Sequence, residues 1–123
     1  MKATSTLATL LVLLGATITP AAANCYTSGD VWQDKAAARW HVNRACRGYD
    51  GHGGAFTGNF APGEAKSLCV QHSNTQKYNF YVQNLNTGQG FDLKDDDCAL
   101  RLENEINGCD RGGDSTIAGW RFR

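Results

Sequence analysis

Hydrophobic and polar positions change their period along this chain, and each change marks an element. Val31 to Cys46 is alanine-rich, and its apolar residues return at helical spacing, with Trp32, Ala36 and Trp40 four apart and Val42, Ala45 and Cys46 widening the stripe. Asp30 followed by Gln33 after the turn-like Thr27-Ser28-Gly29 resembles a capping box, so the helix is expected to begin there. The glycine-rich loop Gly48 to Gly54 ends it. The period then drops to two. Ala55 to Phe60 alternates with Phe56 and Phe60 on one side, Ser67 to Gln71 is short, and Tyr78 to Leu85 is aromatic and strongly alternating. Phe91 to Leu93 is a short strand or a lead-in to the next helix. Asp95 to Asn107 returns to helical spacing, with three aspartates in the first turn, Cys98, Leu102, Ile106 and Cys109 down one face, and Asn107-Gly108 as a stop. Arg111 to Asp114 reads as a loop, and Ile117 to Arg123 as a last strand.

Short turns between the strands predict antiparallel pairing. The order of elements predicts an α+β fold: a two-layer αβ sandwich, disulfide-stapled, with about four antiparallel strands and two helices on one face. The other face of such a sheet meets water or a partner. Alternation turns Phe56, Phe60, Phe80, Val82, Trp120 and Phe122 inward.

Residues 1–23 fall outside this scheme. Lys2, the apolar run Leu7 to Ile18 and the small residues Pro20 to Ala23 have the layout of a signal peptide. The run is shorter than the ~20 residues a spanning helix needs, so no membrane insertion is expected. Residues 24–123 then form a single domain in a secreted, extracellular protein. Its closing strand pattern breaks off at Arg123, which leaves the expectation that the C-terminus is incomplete.

Charge narrows the function classes. The chain has 12 Lys+Arg and 12 Asp+Glu, and basic residues never run together. A nucleic-acid partner needs clustered positive charge, so none is expected. The five cysteines, Cys25, Cys46, Cys69, Cys98 and Cys109, all follow the leader and contain no Cys-x-x-Cys pair. They read as disulfide candidates rather than as a metal site, with one left over and the pairing open. Neither a metal nor a cofactor is expected.

Catalytic patterns are sparse. His41 lies in a helix and reads as a solvated or half-packed side chain, His52 sits beside Asp50 in the glycine loop, a pair too small to signal a metal site, and His72 follows a strand without an obvious partner. No His-Glu-x-x-His, Gly-x-Ser-x-Gly or P-loop occurs. Asn24 to Val31 looks like the start of small fungal guanyl-specific ribonucleases, but Ala55 to Phe60 and Tyr78 to Leu85 lack the Glu, Arg and His that such catalysis places on strands. The chain is therefore expected not to be an enzyme, with a small ribonuclease-like hydrolase as the third choice.

The outward strand positions share a character. Thr57, Asn59, Asn79, Tyr81, Gln83, Arg121 and Arg123 offer one aromatic ring, amides, guanidiniums and a hydroxyl. Sugars are held by aromatic faces and by planar hydrogen-bonding groups at their hydroxyls. These seven residues are the expected glycan-binding set.

A family resemblance points the same way. Cys25-Tyr26-Thr27-Ser28-Gly29-Asp30-x-Trp32 opens it, and Gly63-Glu64, Lys66 and Cys69 follow. Tyr78-x-Phe80-x-Val82-x-Asn84 is the aromatic strand, and Asp97-Cys98, Leu102, Glu105-Ile106, Cys109 and Gly112-Gly113 are the second helix and its loop. Trp120-x-Phe122-Arg123 closes the pattern. Together these resemble a group of small secreted fungal glycan-binding proteins, the mushroom αβ-sandwich lectins with a Y-three-like domain. The resemblance implies a lectin-like function, a carbohydrate partner, no cofactor and a homodimer formed through sheet edges. It also implies an Asp-Pro-Asn-type segment and a final cysteine after the last strand, both missing here. A looser likeness to fungal killer-toxin and necrosis-inducing effector sandwiches gives the second functional choice, action on a cell-surface target.

Overall fold

The computed structural model describes residues 24–123, and the expected leader lies outside the described residues. The fold is α+β. In chain order the elements are β1 (Asn24–Cys25), α1 (Lys35–Arg47), β2 (Asn59–Phe60), β3 (Ala65–Gln71), β4 (Lys77–Asn84), β5 (Phe91–Asp92), α2 (Asp95–Gly108), β6 (Gly113–Ile117) and β7 (Trp120–Phe122). Five strands form one sheet in the order β1-β6-β7-β4-β3, and β2 pairs with β5 in a separate two-stranded sheet. Every pairing is antiparallel.

The expected alternation on β4 holds. Tyr78, Phe80, Val82 and Asn84 are buried, whereas the odd-numbered residues between them are exposed or partly so. Tyr78, Phe80, Val82 and Phe122 share one core with Ala38, Val42 and Ala45 of α1 and with Ala99, Leu102 and Ile106 of α2. Both helices therefore cover the same face of the sheet. A disulfide between Cys46 and Cys98 ties the two helices together, and another joins Cys25 to Cys109. No helix among the described residues is long and apolar enough to cross a membrane.

The first helix corrects the sequence reading. It starts at Lys35, not Val31, and its N-cap is Asp34, whose side chain accepts from Ala37 N at 3.0 Å. Asp30 and Gln33 form no capping box. Gln33 instead bonds the hairpin residues Thr75 and Gln76. The buried stripe is Ala38, Val42, Ala45 and Cys46, and Trp40 is 55 % exposed. At ~100° per residue, Trp40 stands nearly opposite Ala38 on the helix. Val42, Ala45 and Cys46 of the expected stripe are buried, whereas its Ala36 and Trp40 fall on the wet face and Ala38 takes their place against the core.

Ala55 to Phe60 is the second correction. The Phe56 N–H donates to Ala45 O at 2.9 Å at the end of α1, and Thr57 folds back on Gly54. Only Asn59–Phe60 remains extended, and it pairs with β5 instead of joining the large sheet. Asn84 holds the small sheet in place. Its buried amide donates to the carbonyls of Phe60, Ala61 and Gln89, and its Oδ1 accepts from Asn86 N at 2.9 Å.

The last correction is at the C-terminal side. Residues expected as a loop and one strand form a hairpin, β6 and β7, around Ala118-Gly119, with φ of 52° and 85°. Two positive φ values in a two-residue turn suit the right-handed twist of the strands. The first of them falls on alanine, so no Asn-Gly or Gly-Gly signature marks it. The sheet therefore has five strands where about four were expected.

Candidate functional site

Five of the seven expected site residues do share the outer face of the sheet. Asn79, Tyr81 and Gln83 are alternate residues of β4, and Arg121 of β7 lies opposite Gln83. Arg123 follows directly and exchanges both backbone hydrogen bonds with Tyr81, at 2.7 and 2.9 Å. The Tyr81 ring is the centre of the group. The guanidinium of Arg123 sits 4.3 Å from the ring centroid and that of Arg121 at 5.9 Å. The Tyr81 hydroxyl donates to Gln83 Oε1 at 3.0 Å, and Gln83 Nε2 reaches Gly63 O at 3.2 Å. Asp114 grips Arg121 through both carboxylate oxygens, at 3.1 and 2.7 Å. The pair raises the arginine's affinity for its proton, first through the hydrogen bond and then through the charge. These links tie the Tyr81, Gln83 and Arg121 side chains to their neighbours.

Thr57 and Asn59 do not belong to this face. Thr57 caps its own turn through a hydroxyl donated to Gly54 O at 2.8 Å. Asn59 lies in the two-stranded sheet, opposite Asp92. Both were placed by extending one alternating pattern across a segment that leaves the sheet.

Beside Tyr81 the surface drops into a cleft of about 520 Å³. Asn79, Tyr81 and Arg123 line it, as do Tyr26, Asp30 and Arg111. Trp32 lies in its wall, stacked on Phe80 at 6.0 Å and edge-on to Tyr78 at 5.3 Å, with Nε1 donating to Cys109 O at 2.8 Å. Gln76 holds the same segment from below: its Nε2 donates to Val31 O, and its Oε1 accepts from Gln33 N, each at 2.8 Å. Glu105 of α2 also lines the cleft. Burial pushes its carboxyl above the usual glutamate range, against the opposing hydrogen bond from Ser115. Glu105 Oε2 accepts that Ser115 hydroxyl, whereas buried Oε1 has no partner.

Sequence reasoning missed Tyr26, Asp30, Trp32, Glu105 and Arg111 as a group. They come from three separate stretches of chain, and no spacing rule links them.

Cys69, the unpaired thiol, is exposed on β3 opposite Asn79 and touches the same cleft. The histidines lie elsewhere. His72 stacks on Tyr78 at 4.7 Å and His41 is edge-on to the same ring at 6.4 Å, whereas His52 stays in the glycine loop beside Tyr49. Burial depresses the affinity of His41 for a proton, and His72 and Arg44 add to that effect. Among the described residues, no group of three or more His, Cys, Asp or Glu side chains is placed to hold a metal ion. In comparisons with known proteins, no family model and no curated protein matches the chain.

Proposed function

We propose that this is a secreted glycan-binding protein that acts by binding rather than by breaking a bond. The observation that carries the reading is the arrangement around Tyr81. One tyrosine ring, two guanidiniums and two amides occupy neighbouring positions on an open sheet face, braced by Asp114 and Gly63. A sugar ring offers a C–H face to the tyrosine and hydroxyls to the Asn79, Gln83, Arg121 and Arg123 side chains. Pre-braced side chains lose little freedom on binding, which favours recognition of a small polar ligand. Paired disulfides suit an extracellular setting.

The Tyr81→Ala variant tests this on a glycan array. Binding is expected to disappear while the melting temperature stays within a few degrees, because Tyr81 lies on the wet side of the sheet. Unchanged glycan binding by that variant removes the site.

A further inference from the structure

A second, smaller pocket of about 250 Å³ is lined by the last turns of α1, the glycine loop that follows them and the edge strand β3. It lies on the helix side of the sheet. Its β3 residues, Leu68 and Val70, pair with Phe80 and Tyr78, the core-facing residues of β4. Tyr81 and Gln83 alternate with those residues and belong to the other face.

The glycine loop is drawn back onto the helix end. Phe56 N–H donates to Ala45 O at 2.9 Å, and a Cβ on Gly54 would stand 2.2 Å from Arg44 O and 2.3 Å from Ala45 O. Only a residue without a side chain lets the loop come this close.

Two kinds of surface meet in the pocket. Ala45, Ala55, Leu68 and Val70 are apolar, and Arg44 and His41 bring donors. No Asp or Glu lines it. Arg44 is partly buried, and its guanidinium lies 3.7 Å from the centroid of the Tyr49 ring and 4.5 Å from that of Trp40. Arg47 and Arg121 are paired with Asp96 and Asp114, whereas Arg44 forms no salt bridge and its side chain has no acceptor among the described residues. Ring contacts engage the faces of a guanidinium and leave its in-plane N–H donors for an acceptor, and a carboxylate matches that fork with two parallel bonds. The backbone N–H groups of Gly53, Gly54 and Ala55 also lack an acceptor among the described residues.

We propose that this pocket binds a small organic acid: one carboxylate, taken by Arg44, on a compact apolar body that covers Ala45, Leu68 and Val70. The two halves of the ligand follow from the two halves of the lining. A neutral sugar would lay its hydroxyls against alanine, leucine and valine and lose hydrogen bonds to water without replacement. An inorganic anion would satisfy Arg44 and leave the apolar lining wet.

The site does not rest on the sugar reading. It uses Arg44 and the helix side of the sheet, whereas sugar recognition rests on side chains of the opposite face. Each can fail alone.

The test titrates the 15N-labelled protein with sodium benzoate, with benzamide as the neutral copy of the same ring and sodium acetate as the same charge without the ring. Benzoate is expected to shift the Arg44 Nε–H signal and the Gly54 and Ala55 amide signals, with a Kd of about 1 mM or below. Benzamide and acetate are each expected to bind at least tenfold more weakly. Arg44→Met keeps the apolar stem and removes the fork, and is expected to reduce benzoate affinity at least tenfold. Tyr81→Ala is expected to leave benzoate binding unchanged. Absence of the benzoate shifts, equal binding by benzamide, equal binding by acetate, or the same shifts produced by a neutral oligosaccharide would each overturn the proposal. These four results come from the unaltered protein, so a misfolded variant cannot mask them.

Discussion

Gly113 and Glu105 meet across the junction of β6 and α2 so closely that an added Cβ would stand 2.5 Å from the Glu105 Oε1 atom. The same hypothetical Cβ would lie 3.0 Å from Asn24 O and from Cys109 Sγ. Residue 113 has no side chain because three parts of the chain converge there: β1, the Cys25–Cys109 bridge and the buried carboxylate.

Substitution at this point is expected to be costly. Gly113→Ala should lower stability by roughly 1–3 kcal/mol, the usual range for overpacking a filled site. Shortening the carboxylate should return part of the loss, so Gly113→Ala with Glu105→Ala should show coupling beyond the sum of the single variants. Urea denaturation of the four proteins measures this. Strict additivity would mean that the carboxylate is not what the methyl group strikes.

Glu105 also predicts a pH dependence. Its folded-state proton affinity is raised, chiefly by burial, above the ordinary value of 4.5. As pH rises from 4.5 toward the higher folded midpoint, the unfolded chain has released this proton and the folded chain still holds it. The folded state therefore binds more protons, and this group's contribution to stability falls across that window. Glu105→Gln removes the term. It should be at least as stable as the parent at neutral pH and should show a flatter stability profile just above 4.5. An identical slope in the two proteins would refute the assignment.

His41 acts in the opposite direction. Its proton affinity is depressed below the ordinary 6.5, mainly by burial and then by His72 and Arg44. Its contribution is present above 6.5 and is lost as pH falls through the lower folded midpoint, because the unfolded chain takes up the proton first. NMR titration of the ring protons should place the His41 midpoint below 6.5, and His41→Phe should reduce the loss of stability on mild acidification.

The staple between the helices should matter more than any single side chain. Cys46 and Cys98 are separated by 52 positions and close a loop containing β2, β3, β4 and β5. Chain-entropy reasoning gives about 4 kcal/mol for a loop of that length. Replacing both cysteines by alanine should lower the melting temperature by well over ten degrees, as read by circular dichroism. The same treatment of Cys69, which is unpaired and exposed, should change it little.

The tryptophans separate cleanly by environment. Trp32 is packed on Phe80 and Tyr78 and hydrogen-bonded to Cys109 O, so Trp32→Ala should cost about 3–5 kcal/mol. Trp40 is exposed with Arg44 lying 4.5 Å over its ring, so Trp40→Ala should cost less than about 1 kcal/mol. A fluorescence-monitored melt of both variants compares them directly.

Local pattern alone determined the α+β class, the second helix, the central strand and its two faces. Period-two alternation across Tyr78 to Gln83 leaves one assignment of inside and outside once a single face is buried, and the aspartates before Cys98 mark a helix start in any context. Tertiary structure decided what depends on neighbours distant in the chain. It moved the start of α1 to Lys35, capped by Asp34, because Gln33 and Trp32 were claimed by the hairpin at Thr75-Gln76 and by the loop after α2. It removed Thr57 and Asn59 from the sheet, because Ala45 captured the Phe56 N–H and β5 paired with β2. It paired the cysteines, and it brought Glu105, Trp32 and Gly113 together around one cleft. Periodicity records which face a residue turns to the core. Which partner waits there is settled only when segments far apart in sequence compete for the same hydrogen bonds and the same space.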